Sequence, residues 1–278
     1  MSWKYSITLS SFKNLEPIEK TLENLKYQGF DTVEVYGEPD LVDVKSISHI
    51  LDSLSMDVSG VTGMWGKSNS NYKSRKLVTN DSDSLLVAQD YVKKCISLCN
   101  SLGGRTFNIC LFSDSPIIFD GNHKSLLREE KRKLLSALTD PLRELAEYAR
   151  NFDVDLLIEP LNRYSTPICT NSEDAMYIVE LVDQENVGIL LDTFHMNIEE
   201  DSICDAIIKS NKMLKHIHIS DNNRKMPGLA HIDFESIIAA LKKIKYMKFL
   251  TFEPSFQHID YKNDIKYGLD FLKKLSKN

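Results

Sequence analysis

Four positions carry side chains able to hold a hard or borderline divalent cation, and each closes or lies within a short apolar run. They are Glu159 after Leu156-Leu157-Ile158, Asp192 after Ile189-Leu190-Leu191, His218 within His216-Ile217-His218-Ile219, and Glu253 after Leu250-Thr251-Phe252. Three carboxylates and one imidazole, with coordination positions left open, suit octahedral Mn²⁺ or Mg²⁺ better than thiolate-bound Zn²⁺. A cation held this way polarises a ketone and its neighbouring hydroxyl, which eases removal of a proton from the adjoining carbon and stabilises the enediolate. If Glu159 and Glu253 flank that carbon, one carboxylate removes the proton and the other returns one to the opposite face, so the centre inverts. Each such transfer is worth about 10²- to 10⁴-fold in rate. Taken singly, each carboxylate could equally cap a helix or pair with a local charge; four at the same level of successive strands favour one shared site.

His216 and His218 point the same way from their strand, because side chains alternate. His218, nearer the strand's C-terminal end, is read as the ligand and His216 as a packed group behind it. His49, His123, His231 and His258 fall in helix or loop contexts where a solvated ring is expected.

The elements that must position these groups follow from periodicity. Short β-rich segments are expected at Tyr5 to Leu9, Thr32 to Tyr36, Val58 to Thr62, Thr106 to Leu111, Asp155 to Glu159, Val187 to Leu191, Leu214 to Ile219 and Phe249 to Phe252. Helical patterns follow them at Leu15 to Tyr27, Val42 to Leu54, Ser84 to Leu102, Leu126 to Asn151, Ser172 to Val182, Asp201 to Ser210, Glu235 to Lys243 and Asp264 to Leu275. Thr170-Asn171-Ser172-Glu173 reads as a capping box and Gly103-Gly104 as a helix stop. Eight βα units in 278 residues, with no Pro-, Gly- or Ser-rich linker, predict an α/β fold: one (β/α)8 barrel domain spanning 1–278. The longer polar stretches Gly66 to Asp83, Ser113 to His123 and Ser220 to Asp233 follow strands, so they would crowd the barrel's C-terminal face, where such barrels build active sites. Neighbouring strands lie about 4.8 Å apart, so groups at the ends of the fifth to eighth strands can converge.

Composition excludes several classes of protein. Lys plus Arg is 34 and Asp plus Glu 40, a net charge of −6 that repels phosphate backbones and anionic membranes. No apolar run approaches the roughly 20 residues of a membrane span, and the start lacks a signal-peptide pattern, so a soluble, cytoplasmic protein is expected. The five cysteines (Cys95, Cys99, Cys110, Cys169, Cys204) are odd in number and lack a C-x-x-C pair, which fits reduced thiols packed as small hydrophobes.

Three longer stretches carry a resemblance: Ile158-Glu159-Pro160-Leu161-Asn162-Arg163-Tyr164, Leu191-Asp192-Thr193-Phe194-His195-Met196-Asn197-Ile198-Glu199-Glu200, and His216-Ile217-His218-Ile219-Ser220-Asp221-Asn222-Asn223-Arg224. With the closing Phe252-Glu253-Pro254, they resemble the D-tagatose/D-psicose 3-epimerase family within the xylose-isomerase-like barrels. The likeness is strong from about Leu156 to Pro254 and weaker before it, at Gly63-Met64-Trp65-Gly66 and Asp90 to Cys95. It implies an isomerase that inverts C3 of a ketose, with one divalent metal ion per subunit, Mn²⁺ foremost and Co²⁺ or Mg²⁺ as alternatives. The ligands carry over to Glu159, Asp192, His218 and Glu253, the substrate-holding pair to His195 and Arg224, and the assembly to a homodimer or homotetramer. His195 and Arg224 would then hydrogen-bond the oxyanion developing at O2.

Trp65, after the third strand, offers an apolar wall to a sugar, or else an ordinary rim aromatic. One departure bears on the substrate: Ser165 stands where the family pattern carries a glutamate, so the ligand could be shorter, phosphorylated or other than a free ketohexose. The same fold and metal set also admit an aldose–ketose or hydroxypyruvate-type isomerase and an inosose dehydratase. More distant readings are an endonuclease IV-like nuclease, which would need more histidines on the second to fourth strands, and a non-catalytic sugar-binding barrel, which would have a broken site.

Overall fold

The computed structural model describes residues 3–13, 15–65, 75–113, 126–256 and 261–277. Eight parallel strands close into a barrel in chain order, so each strand pairs with its sequence neighbours and β8 returns to β1. They are β1 (Lys4–Thr8), β2 (Thr32–Gly37), β3 (Asp57–Gly63), β4 (Thr106–Ile109), β5 (Asp155–Ile158), β6 (Val187–Asp192), β7 (Leu214–Ile219) and β8 (Phe249–Phe252). This is the single (β/α)8 barrel expected from the sequence, and the eight strands lie where periodicity placed them, to within two residues at either end.

The period-2 pattern sorts side chains into two environments. Val33, Val35, Ile217, Ile219, Leu250 and Phe252 belong to the apolar layer shared with the helices. Their neighbours Glu34, His216, His218 and Thr251 are also buried, but they meet one another across the barrel interior. A polar barrel centre inside an apolar sleeve is what alternation on a closed sheet dictates when odd and even positions differ in chemistry.

The surrounding helices are α1 (Ile18–Gln28), α2 (Val44–Leu54), α3 (Ser82–Ser101), α4 (Arg128–Ser136), α5 (Thr139–Arg150), α6 (Ser172–Val182), α7 (Thr193–Glu199), α8 (Ile203–Lys209), α9 (Phe234–Lys243) and α10 (Lys262–Lys277). Three details differ from the sequence expectation. The helix expected over Leu126 to Asn151 is broken in two, because Pro141 lacks an N–H and its ring would strike the Ala137 carbonyl one turn earlier in a continuous helix. The cap of α6 is Asn171, whose side chain accepts from Asp174 N at 2.9 Å, while the Asp174 carboxylate accepts from Thr170 N, one residue before the cap, at 3.0 Å; the cap therefore lies one residue further on than Thr170, and the bonds do not form the reciprocal box read from the sequence. The short α7 was not anticipated. Gly103 does stop α3, taking the left-handed φ of 75° that a side chain resists.

A register shift matters for the site. Ile189 pairs with Leu214 but Leu190 pairs with His216, so one extra residue of β7 is accommodated and Asp192 comes level with His218 instead of Ile217. Of the loops expected on the C-terminal face, Ser220 to Asp233 lies wholly within the described residues; the first half of Gly66 to Asp83 and all of Ser113 to His123 beyond Ser113 lie outside them, as do His123 and His258. His49 and His231 are exposed, as expected.

Candidate metal centre and active site

Glu159, Asp192, His218 and Glu253 reach the C-terminal end of the barrel from four consecutive strands, and all except the partly open Glu253 are buried. His218 Nδ1 lies 3.7 Å from Glu159 Oε1 and 3.5 Å from Glu253 Oε2. Ligand atoms of Glu159, His218 and Glu253 all fall within 4.8 Å of one another, as do those of Glu159, Asp192 and His195. Apart from these ion-pair approaches, His218 Nδ1 is buried without a hydrogen bond. Buried polar atoms are normally paired, so an imidazole nitrogen left without a hydrogen bond and facing two glutamate oxygens fits a divalent cation held by hard oxygen donors and one imidazole.

The second oxygen of Glu159 is held from behind. Asn108 Nδ2 donates to Oε2, and the Cys110 thiol donates to the same atom at 3.2 Å. Asn108 is itself fixed by the Gly63 N–H donating to its Oδ1. Burial pushes the Cys110 thiol well up, with Glu159 adding to the effect, so it acts as a neutral donor. Oε1 is thereby left facing the centre. Sequence reasoning treated Cys110 as packing alone; its alternation with Asn108 on one inward face was the available signal.

His218 Nε2, on the far side of its ring, lies 3.0 Å from Glu34 Oε2, and His216 Nε2 lies 3.5 Å from Glu34 Oε1. The sequence reading missed Glu34. Its Oε2 also accepts from the Thr62 hydroxyl, and His216 Nε2 makes a 2.7 Å hydrogen bond with Thr251 Oγ1, in the supporting position expected of His216.

Asp192 does two jobs. Its Oδ1 accepts from Phe194 N at 2.9 Å and so caps α7, which places His195 one turn away. Nδ1 of His195 accepts from the Asn162 backbone N–H at 2.9 Å and faces its amide nitrogen at 2.8 Å, while Nε2 faces Arg224 Nη2, a donor, at 3.0 Å, so the ring is held on both edges at the border of the centre. Burial, followed by the charge of Arg224, lowers the imidazole to about 4 and keeps it neutral.

Arg224 comes in from the β7–α9 loop with a left-handed φ of 59°. Its Nη1 lies 2.8 Å from Asp192 Oδ2 and 2.7 Å from Glu253 Oε2, and its guanidinium stacks on the Phe194 ring at 4.3 Å. Burial alone would raise both carboxyls. It does so for Asp192, which four neighbouring charges pull in opposite senses, Arg224 and His218 downward and Glu253 and Glu159 upward, whereas Arg224 and His218 outweigh burial at Glu253 and hold it ionised.

The Arg224 loop is organised by one buried carboxylate. Asp221 accepts from Asn222 N and Ile232 N on Oδ1, at 2.9 and 3.0 Å, and from Gly228 N and Ala230 N on Oδ2, at 3.0 and 2.9 Å.

Trp65 packs edge-on against Tyr91, with ring centroids 5.4 Å apart, and tilted against Phe107. Arg75 bonds the adjoining Met64 carbonyl at 2.6 Å while pairing with Glu38 and lying over Tyr91, so Trp65 stands in the wall at the top of β3 and β4. The structure therefore brings Glu159, Asp192, His218, Glu253, His195 and Arg224 together, and places Trp65 at the border of that group.

Residues 16–275 match the xylose isomerase-like TIM barrel family. The chain belongs to that family. Its relatives are isomerase-class enzymes of carbohydrate metabolism. Over 252 residues it is 27% identical to an L-ribulose 3-epimerase of Mesorhizobium japonicum, covering 90% of this chain and 79% of that one. Over 242 residues it is 30% identical to a 3-dehydro-D-guloside 4-epimerase of Escherichia coli (strain K12), covering 84% of this chain and 87% of the relative. The fold superposes on a D-psicose 3-epimerase from Clostridium cellulolyticum H10, solved with D-tagatose, at a TM-score of 0.82 and 23% identity, covering 98% and 99% of the two chains.

Proposed function

We propose that this protein is a metal-dependent sugar epimerase that inverts C3 of a ketose through an enediolate, using Glu159 and Glu253 as the two proton-transfer groups. The observation that carries the reading is that both glutamates, from strands β5 and β8, reach the same nitrogen of His218 from different sides. Names of relatives over most of the chain support it.

Glu159, Asp192, His218 and Glu253 would hold one divalent cation, Mn²⁺ foremost. Such an ion supplies Lewis-acid polarisation of the ketone and its neighbouring hydroxyl, which lowers the barrier to enolisation. The chain's own groups do the rest. One glutamate removes the C3 proton, and its partner returns a proton to the other face. Asn108 and Cys110 fix which oxygen of Glu159 is presented, and Arg224 keeps Glu253 anionic until substrate arrives. Arg224, its guanidinium braced by His195 Nε2 at 3.0 Å, donates to the oxygen that becomes negative at C2 and His195 lines the same side, a preorganised arrangement that strengthens as charge develops. The partner is a small sugar, and a cytoplasmic homodimer or homotetramer is the assembly that fits this family.

A second reading inverts C4 of a 3-keto sugar by the same chemistry. It is favoured by the identity shared with the Escherichia coli 4-epimerase over most of both chains, and by an exposed Ser165 where a ketohexose epimerase carries a substrate-contacting glutamate.

Replacing Glu159 or Glu253 by Gln tests the division of labour. With Mn²⁺ in saturating excess, each variant should lose about 10²- to 10⁴-fold in turnover. Full turnover by Glu159→Gln with metal bound would refute the assignment.

A further inference from the structure

Glu34 stands on β2 and meets His218 of β7 across the barrel interior, and no chemistry assigned above uses it. It is 2% exposed, and among the described residues no lysine or arginine pairs with it. A buried carboxylate without a cation is costly unless something compensates it. The groups it meets are the Thr62 hydroxyl and the two imidazoles, with His218 Nε2 at 3.0 Å. From this geometry we infer that Glu34 is a positioning residue for the metal centre: its charge, 3.0 Å from His218 Nε2 in an ion-pair approach, favours the ring proton on that nitrogen, orients the ring, and so directs the Nδ1 lone pair at the point where Glu159 and Glu253 converge.

Three features support the inference. The two ring nitrogens of His218 face opposite ways, Nε2 into the barrel floor at Glu34 and Nδ1 up at the two glutamates, so a single rotamer serves both contacts. Glu34 is itself restrained, since Thr62 donates to the same oxygen that faces His218, leaving Oε1 for His216. His216 is in turn tied to Thr251 at 2.7 Å, so the supporting layer spans β2, β3, β7 and β8 and cannot turn as one side chain. A carboxylate behind a ligating imidazole raises its basicity as well as fixing its tautomer, and losing such a partner typically costs about 10- to 100-fold in metal affinity.

The inference rests on the proposed metal ligands, so the experiment separates the two. Mn²⁺ alone is titrated calorimetrically into metal-stripped wild type, Glu34→Gln, Thr62→Val and, as a reference for the ligand set, Asp192→Ala. The expected result is tight binding by wild type, affinity about 10- to 100-fold weaker for Glu34→Gln, and a smaller loss in the same direction for Thr62→Val. Thermal unfolding with and without Mn²⁺ adds a readout that a purely structural role would not move: the metal-dependent rise in Tm should shrink in Glu34→Gln more than the metal-free Tm falls. Equal Mn²⁺ affinity in wild type and Glu34→Gln, with Asp192→Ala impaired, overturns the role of Glu34 and leaves the metal centre intact. Wild type that binds no Mn²⁺, or Asp192→Ala that binds as wild type does, overturns the metal ligand set and this inference with it. Should Glu34→Gln fail to fold, Thr62→Val decides: unchanged affinity there refutes the proposal.

Discussion

His216 lies wholly inside the barrel with its ring between Thr251 and Glu34, and burial lowers it to about 4. An unfolded histidine takes up its proton near pH 6.5, whereas the folded one does not until about pH 4, so between those values unfolding binds an extra proton. The resulting stability is full above about pH 6.5 and is lost as pH falls toward 4, at about 1.4 kcal/mol per pH unit. In urea titrations of metal-stripped protein from pH 6.5 to 5, His216→Asn should therefore lose stability less steeply than wild type by about that slope; parallel curves would contradict a neutral buried ring. At this scale the ligands could be read from sequence because each is a chemically distinctive group at the end of an apolar run. Asn108 and Cys110 offered only their alternation on one inward face, and Glu34 offered nothing. A single polar residue between apolar neighbours, such as Val33-Glu34-Val35, carries no spacing signature, and only the closed sheet shows that it faces His218 and not solvent.

The β7–α9 loop depends on one side chain in the way a metal site depends on its ion. Four backbone N–H groups converge on Asp221, and the loop so fixed delivers Arg224 in a backbone conformation that non-glycine residues seldom take. Asp221→Asn keeps one oxygen and turns an NH2 toward donors, stranding two buried N–H groups at about 1–3 kcal/mol each. The urea midpoint should fall without a change in m-value, and KM for the sugar should rise as Arg224 loses its fixed approach; an unchanged midpoint would mean the loop is held by other contacts. Strands were legible as elements because their alternation is strong, and the break between α4 and α5 could have been read from Pro141. The seven-residue α7 had no periodicity to reveal it, and the register shift that brings Asp192 level with His218 is a property of paired strands that no single strand encodes.

For the whole molecule, closure of the barrel turns eight separate strands into one site. Residues from β2 to β8 act at two levels, the ligands at the strand ends and the Glu34, Thr62, His216 and Thr251 group beneath them, with the helices supplying the apolar sleeve around the strands. The net charge of −6 gives no long-range attraction for anionic substrates, so a neutral sugar is the ligand most consistent with the field as a whole. The most direct test of the central claim is NMR of ketoses, 3-keto glycosides and aldoses incubated in D2O with the purified protein and Mn²⁺, reading which carbon gains deuterium. The account predicts deuterium on the carbon beside the ketone together with its epimer, at C3 for a ketose. Deuterium at C1 or C2 with an aldose–ketose pair, or loss of water from the substrate, would contradict it.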